Sequence, residues 1–220
     1  MAFLGVRVPH EIARLLAGLE VPGDREPPGH MHITLLHFGD DIPVEQIAKA
    51  LPAIFEVVVN TKPLLAKTNL VSCFDSGESE VYPIICRIES AELHVLWERV
   101  KAACDAVGVT YSKKYPEYIP HVTLSYSKEK MTDQLISPVM WTVSELVLWG
   151  GDSGDEKLTI TFPFALTLSK AAMYRAFVRL ACSKPSAEGS SGGCTCGGQC
   201  SCQAQRVAAR FDRERRQASR

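Results

Sequence analysis

Two four-residue strings, His32-Ile33-Thr34-Leu35 and His121-Val122-Thr123-Leu124, carry the residue types best suited to chemistry in this sequence. They lie 89 residues apart. Each falls in a stretch that reads as a β-strand, where residues i and i+2 point to one face. His32 then shares a face with Thr34, and His121 with Thr123, while Ile33, Leu35, Val122 and Leu124 point the other way. The apolar members account for burial. The polar members need a common partner, because burying them unpaired costs about 1–3 kcal/mol each. A phosphodiester is such a partner. Two imidazoles, with an ordinary pKa of about 6.5, can act as a base and an acid near neutrality. Threonine hydroxyls can donate to the non-bridging oxygens, where charge builds. No carboxylate cluster suited to magnesium stands beside either string, so neither a metal nor another cofactor is expected. One His-x-Thr would be weak evidence in a chain with six histidines. Two that agree in type at all four positions, in corresponding places of two halves, are much harder to attribute to chance.

These strings must be positioned by the elements around them. Residues 2–8 alternate Leu4, Val6 and Val8 against Phe3, Gly5 and Arg7, which predicts a strand ended by Pro9. A short helix is expected over 10–19, a loop with three prolines over 21–29, a strand over 30–38 and a helix over 43–56 that starts at Pro43. Strands are expected over 63–74 and 81–88, with Pro83 marking an edge or a start. Residues 91–107 give the clearest helix, with Leu93, Leu96, Trp97, Val100, Ala103 and Cys104 on one face and Gly108 as the stop. Strands over 119–126, 141–149 and 157–168 complete the order β-α-β-α-β-β-α-β-β-β. Helices mixed with adjacent strands point to an α+β sheet domain, not a doubly wound parallel sheet.

The chain has 220 residues, 46% of them hydrophobic, enough for one domain with a real core plus a tail. The expected division is a domain over 1–170 and a C-terminal extension over 171–220. The extension reads as a short helix at 171–182, a Gly/Ser/Cys-rich linker and a basic end. Its Cys194, Cys196, Cys200 and Cys202 could chelate a soft metal, but they sit too close together for an ordinary zinc ribbon, so a flexible tail is the favoured reading. Cys73, Cys86, Cys104 and Cys182 read as reduced, packed thiols. Net charge is −1, yet residues 206–220 hold six arginines against Asp212 and Glu214, so the remainder carries −5. Such a body is a poor partner for long nucleic acid but can hold a small anion in a local pocket. No apolar run approaches the roughly 20 residues that span a bilayer, and the start lacks a basic leader. A cytoplasmic, monomeric protein with no membrane partner is expected.

The sequence resembles the two-histidine (2H) phosphoesterase superfamily, which includes 2′-5′ RNA ligase-like proteins and cyclic nucleotide phosphodiesterases. Its mark is a pair of His-x-Thr/Ser motifs, each followed by an apolar residue. The likeness extends over about residues 2–168, through the opening strand and helix, the Pro120-His121-Val122-Thr123-Leu124 run and Val143-Ser144-Glu145-Leu146-Val147-Leu148. It implies two pseudo-symmetric lobes of antiparallel sheet, with outer helices, facing across a cleft lined by His32, Thr34, His121 and Thr123. It implies action on 2′,3′-cyclic phosphates, 2′-5′ linkages or cyclic nucleotides, with a small nucleotide or oligonucleotide as the substrate. Some phage members of the superfamily destroy cyclic oligonucleotide signals of bacterial defence, and the compact size and unusual tail suit such an origin.

Four further residues are candidates for substrate contact. His30 would share the face of His32 if the strand extends that far; no spaced acidic or thiol ligands accompany the pair, so it is read as a cleft-edge residue and not a metal ligand. Lys114 could attract phosphate and Tyr115 could stack on a base. Phe3 shares a face with Gly5; the resemblance implies that it borders the cleft, and core packing is the alternative. Tyr118 is implied to pack inward. Two rival functions remain: a protein that binds a nucleotide or RNA end without turnover, against which both intact His-Thr pairs argue, and a histidine metallohydrolase, which a chelator would inactivate.

Overall fold

The computed structural model describes residues 2–40, 42–77, 80–114, 117–150 and 158–164. The chain divides into two units, Met1–Leu166 and Thr167–Arg220. The helix expected at 171–182, the Cys-rich linker and the basic end lie outside the described residues.

In chain order the first unit contains β1 (Ala2–Arg7), α1 (His10–Ala17), β2 (Asp24–Arg25), a 3-10 turn (Pro28–His30), β3 (His32–Gly39), α2 (Val44–Val59), β4 (Leu64–Cys73), β5 (Tyr82–Glu89), α3 (Ala91–Ala106), β6 (His121–Ser127), β7 (Gln134–Leu135), β8 (Met140–Val143), β9 (Glu145–Gly150) and β10 (Leu158–Pro163). The strands form two antiparallel sheets. One has the order β10-β9-β1-β3; the other runs β2-β6-β5-β4-β7, with β8 also on β4. The architecture is α+β.

The two sheets repeat one unit. In each, a strand leads through a helix to a motif strand that pairs antiparallel with the first: β1-α1-β3 and β5-α3-β6. The registers correspond as well. Gly5 faces Thr34 and Arg7 faces His32, as Ile85 faces Thr123 and Arg87 faces His121. Each motif strand also carries a bulge at the same place. Leu4 pairs Leu36 and Gly5 pairs Thr34, leaving Leu35 unpaired; Ile84 pairs Ser125 and Ile85 pairs Thr123, leaving Leu124 unpaired. A bulge shifts the alternation by one. So Leu35 and Leu36 are both buried, as are Leu124 and Ser125.

The expected strand over 141–149 is two strands in different sheets. Trp141 and Val143 are buried from β8, and Leu146 and Leu148 from β9, so the buried phase slips by one at Ser144. There the chain leaves one sheet for the other. The expected strand at 30–38 begins at His32, because Pro27-Pro28-Gly29 winds residues 28–30 into the 3-10 turn. Pro83 lies at the start of β5, which is a central strand.

The loop between α1 and β3 links the halves. Its Asp24 and Arg25 pair with β6 of the second sheet, and Glu26 N–H donates to the Leu124 carbonyl at 2.8 Å. In return, Ser112 N–H donates to the His37 carbonyl of β3 at 2.7 Å. Helices close the outside: α2 meets α3 and β10, and α3 meets β3 and β4. Ser90 caps α3 by accepting from Leu93 N–H at 3.3 Å. Ser90→Ala is expected to lower stability by about 1 kcal/mol, read as a shift in the urea midpoint; an unmoved midpoint would refute the cap.

Candidate active site

His32 and His121 open their strands, and each ring is held in the same way. Nδ1 of His32 lies 2.7 Å from the carbonyl oxygen of His30, and Nδ1 of His121 lies 2.6 Å from that of Ile119. A carbonyl can only accept, so in both rings Nδ1 carries the proton and Nε2 holds the lone pair. The same i−2 contact in both halves fixes two rings in the tautomer that a general base requires.

Burial pushes the pKa of both imidazoles below the ordinary histidine value. For His32 the carbonyl of His30 and the charge of Glu26 act in the opposite sense, while the charge of His30 adds to the lowering. For His121 only the carbonyl of Ile119 opposes burial, while His32 and Arg87 both depress it further. The two rings therefore lie within electrostatic reach of each other, where β3 approaches β6. A proton on His32 discourages one on His121.

Thr34 and Thr123 are half-buried on the histidine faces of their strands. Aromatic rings brace both imidazoles. Phe3 lies 4.7 Å from His32 and stacks on Trp149 at 4.9 Å, with Trp149 5.6 Å from His32. Phe74 meets His121 edge-on at 4.8 Å. Phe3 and Trp149 are neighbours because β1 pairs with β9 at that register.

The other sequence candidates divide. His30 lies on the turn before the strand; its ring is 72% exposed and 3.6 Å from Glu26. What it gives to His32 is its backbone carbonyl. Lys114 is exposed, and its N–H donates to Ser112 Oγ at 3.3 Å. Tyr115 lies outside the described residues. Tyr118 packs inward, stacked on Trp97 at 5.2 Å. Among the described residues no three His, Cys, Asp or Glu side chains converge as metal ligands, and no helix is long and apolar enough to cross a membrane.

The family model of the 2′-5′ RNA ligase superfamily matches residues 8–155, which include both motif strands. The chain belongs to the 2′-5′ RNA ligase superfamily.

Solved structures share the fold. TT0787 of Thermus thermophilus aligns with a TM-score of 0.62 at 19% identity, covering 76% of this chain and 99% of that one. A phosphoesterase aligns at 0.52 and 18% identity, over 74% and 94%. E. coli LigT complexed with NADP+ aligns at 0.50 and 18% identity, over 75% and 98%. No curated protein matches the chain. Membership of the superfamily makes phosphoesterase-type chemistry the general activity of the chain.

In this superfamily member, residues with no motif of their own also reach the histidines. Trp149, Phe74, Glu26, Arg7 and Arg87 were not singled out by the sequence. Each touches a motif histidine, faces it across a strand pair or acts on it through charge. The one local signal was Arg87, the only charge in the run from Val81 to Ile88.

Proposed function

We propose that the protein is a metal-independent phosphodiesterase that hydrolyses 2′,3′-cyclic phosphates, 2′-5′ linkages or cyclic oligonucleotides with His32 and His121 as an acid and base pair. The observation that carries this reading is the matched pair of Nδ1–carbonyl bonds, which leaves both Nε2 atoms for proton transfer. Arg87 disfavours a proton on His121, while Glu26 favours one on His32. On that difference we take His121 as the base and His32 as the acid, with the charge of His30 acting against the proton on His32. Nε2 of His121 takes a proton from water as its oxygen bonds to phosphorus. The P–O bond to the leaving oxygen breaks, and Nε2 of His32 supplies the proton to that oxygen. The product is a phosphomonoester; His121 ends protonated and His32 neutral, and solvent exchange resets the pair. Thr34 and Thr123 donate to the non-bridging oxygens. Each Thr→Val variant is expected to lose about 10²-fold in kcat with its melting temperature little changed, and an unchanged kcat would remove that threonine from the scheme.

The test is a substrate panel of nucleoside 2′,3′-cyclic phosphates, 2′-5′ and 3′-5′ dinucleotides and cyclic oligonucleotides, assayed in EDTA. Cleavage that persists in chelator is expected for at least one class. Loss of all cleavage in EDTA, restored by a divalent ion, would sink the metal-free scheme; binding without turnover across the panel would sink the enzyme.

The pH dependence follows from the direction of the shifts. The active free enzyme carries one proton on the pair. Because both pKa values lie below the ordinary 6.5 or so, that form is depleted as pH rises through the higher of them. The kcat/KM profile is expected to peak on the acid side of pH 6.5 and to fall with a slope near −1 above it. A plateau extending to pH 8 would contradict the assignment.

A further inference from the structure

Arg87 occupies a place that the fold builds for it. On β5 the side chains of Ile85 and Arg87 share the face that meets Thr123 and His121 of β6. On the other side β4 bulges: Thr68 pairs Ile88 and Val71 pairs Cys86, so Asn69 and Leu70 stand opposite the single Arg87. The bulge interrupts the regular ladder beside Arg87. Arg87 Nε donates to Ser72 Oγ at 3.0 Å, and Ser72 is fully buried. That bond uses Nε and leaves the two terminal nitrogens, which together form the fork that suits a carboxylate or a phosphate.

Arg87 is half-buried, yet among the described residues no carboxylate lies within ion-pair distance of it. A cation taken partly out of water without a counter-ion is costly, and an anion in the site would offset that cost. Arg7 stands at the equivalent register position opposite His32, but it is exposed and its guanidinium lies 5.5 Å from the Trp149 ring. Of the two related arginines, only Arg87 is both fixed by a buried hydroxyl and placed against the histidine.

We propose that Arg87, oriented by Ser72, is the anion-binding residue of the site and grips the non-bridging oxygens of the phosphoryl group that His121 and His32 act upon. This rests on the phosphodiesterase reading for the reaction, but the anion site can be tested without turnover. The probe is inorganic phosphate, titrated into the full chain by calorimetry and as a competitive inhibitor of whichever panel substrate is cleaved. Wild type is expected to bind phosphate in the millimolar range or tighter. Arg87→Met, which keeps the length and removes the charge, is expected to weaken it by about tenfold or more. Arg87→Lys, which keeps the charge and loses the fork, is expected to fall between the two. In Ser72→Ala the effect is expected to be a weaker affinity with the charge still present, which separates orientation from charge. NMR titration of His121 is expected to move to higher pH in Arg87→Met. Phosphate affinity unchanged in Arg87→Met overturns the proposal. If that variant does not fold, wild-type affinity in folded Arg87→Lys overturns it equally, as does a wild type that binds no phosphate. Phosphate binding that depends on Arg87, with no diester cleaved, would uphold the anion site and retire the phosphodiesterase.

Discussion

Replacing either His32 or His121 by alanine is expected to reduce kcat on the best panel substrate by about 10³-fold, within the 10²–10⁴ range for loss of one acid or base. The double variant is expected to be little slower than either single one. The reason is structural. One imidazole comes from each sheet, and in the proposed scheme proton removal from the nucleophile and proton delivery to the leaving oxygen belong to one step, so half of the pair does not do half of the work. The two rings are held alike, by Nδ1 donating to the carbonyl two residues back. Neither bond is part of a sheet ladder, so both variants should fold, which a melting curve checks. Single-turnover kinetics on the two singles and the double make the cycle. Additive losses, or a full-rate enzyme lacking one histidine, would break the paired-histidine mechanism.

A second large effect is expected far from any reacting atom. A Cβ placed on Gly5 would stand 2.5 Å from the carbonyl oxygen of Ile33 and 3.3 Å from the Cα of Thr34. Both neighbours are backbone of the motif strand, so a rotamer change cannot relieve the clash. Either β1 withdraws from β3 or β3 shifts, and β3 carries His32 and Thr34. Gly5→Ala is therefore expected to destabilise the fold by about 1–3 kcal/mol, the usual cost of overpacking, and Gly5→Val by more. The folded fraction is expected to lose kcat beyond what its stability explains, because a displacement of about 1 Å can cost about 10²-fold in a positioned site. Gly29→Ala is the control, since nothing lies within 4 Å of its added Cβ. Equal stability and activity in Gly5→Ala and Gly29→Ala would show that the close approach at Gly5 does not matter.

Gly5 also illustrates a limit on reading function from a string of residues. Its neighbours Leu4 and Val6 announce a strand by alternation, and Gly5 reads there only as a small member of the other face. Its purpose lies in the partner strand, 28 or 29 residues away in the chain. Arg87 is similar. It is one charge in an apolar run, and what matters about it is that His121, Ser72 and the bulge in β4 surround it. His30 is the reverse case. Its ring looked like a site residue on an extended strand, but two prolines and a glycine wind the backbone there, and the carbonyl is what reaches His32.

Local order was legible because it depends on residues that are adjacent in the chain. The period-2 placement of His32 with Thr34, and of His121 with Thr123, follows from the geometry of any strand. Together with the apolar residues between them it set four polar side chains on two strand faces and pointed to phosphoester chemistry. The α+β class followed equally from the order of periodicities. Even the change of sheet at Ser144 left a trace, in the slip of apolar phase between Val143 and Leu146. Only the tertiary structure decided which strands lie side by side. It set Arg87 opposite His121, Gly5 against Ile33 and Trp149 beside Phe3, and it placed the bulges at Leu35 and Leu124. Strand register is fixed by burial and loop closure across the whole chain. The residues that tune the two histidines therefore meet only when the sheets form.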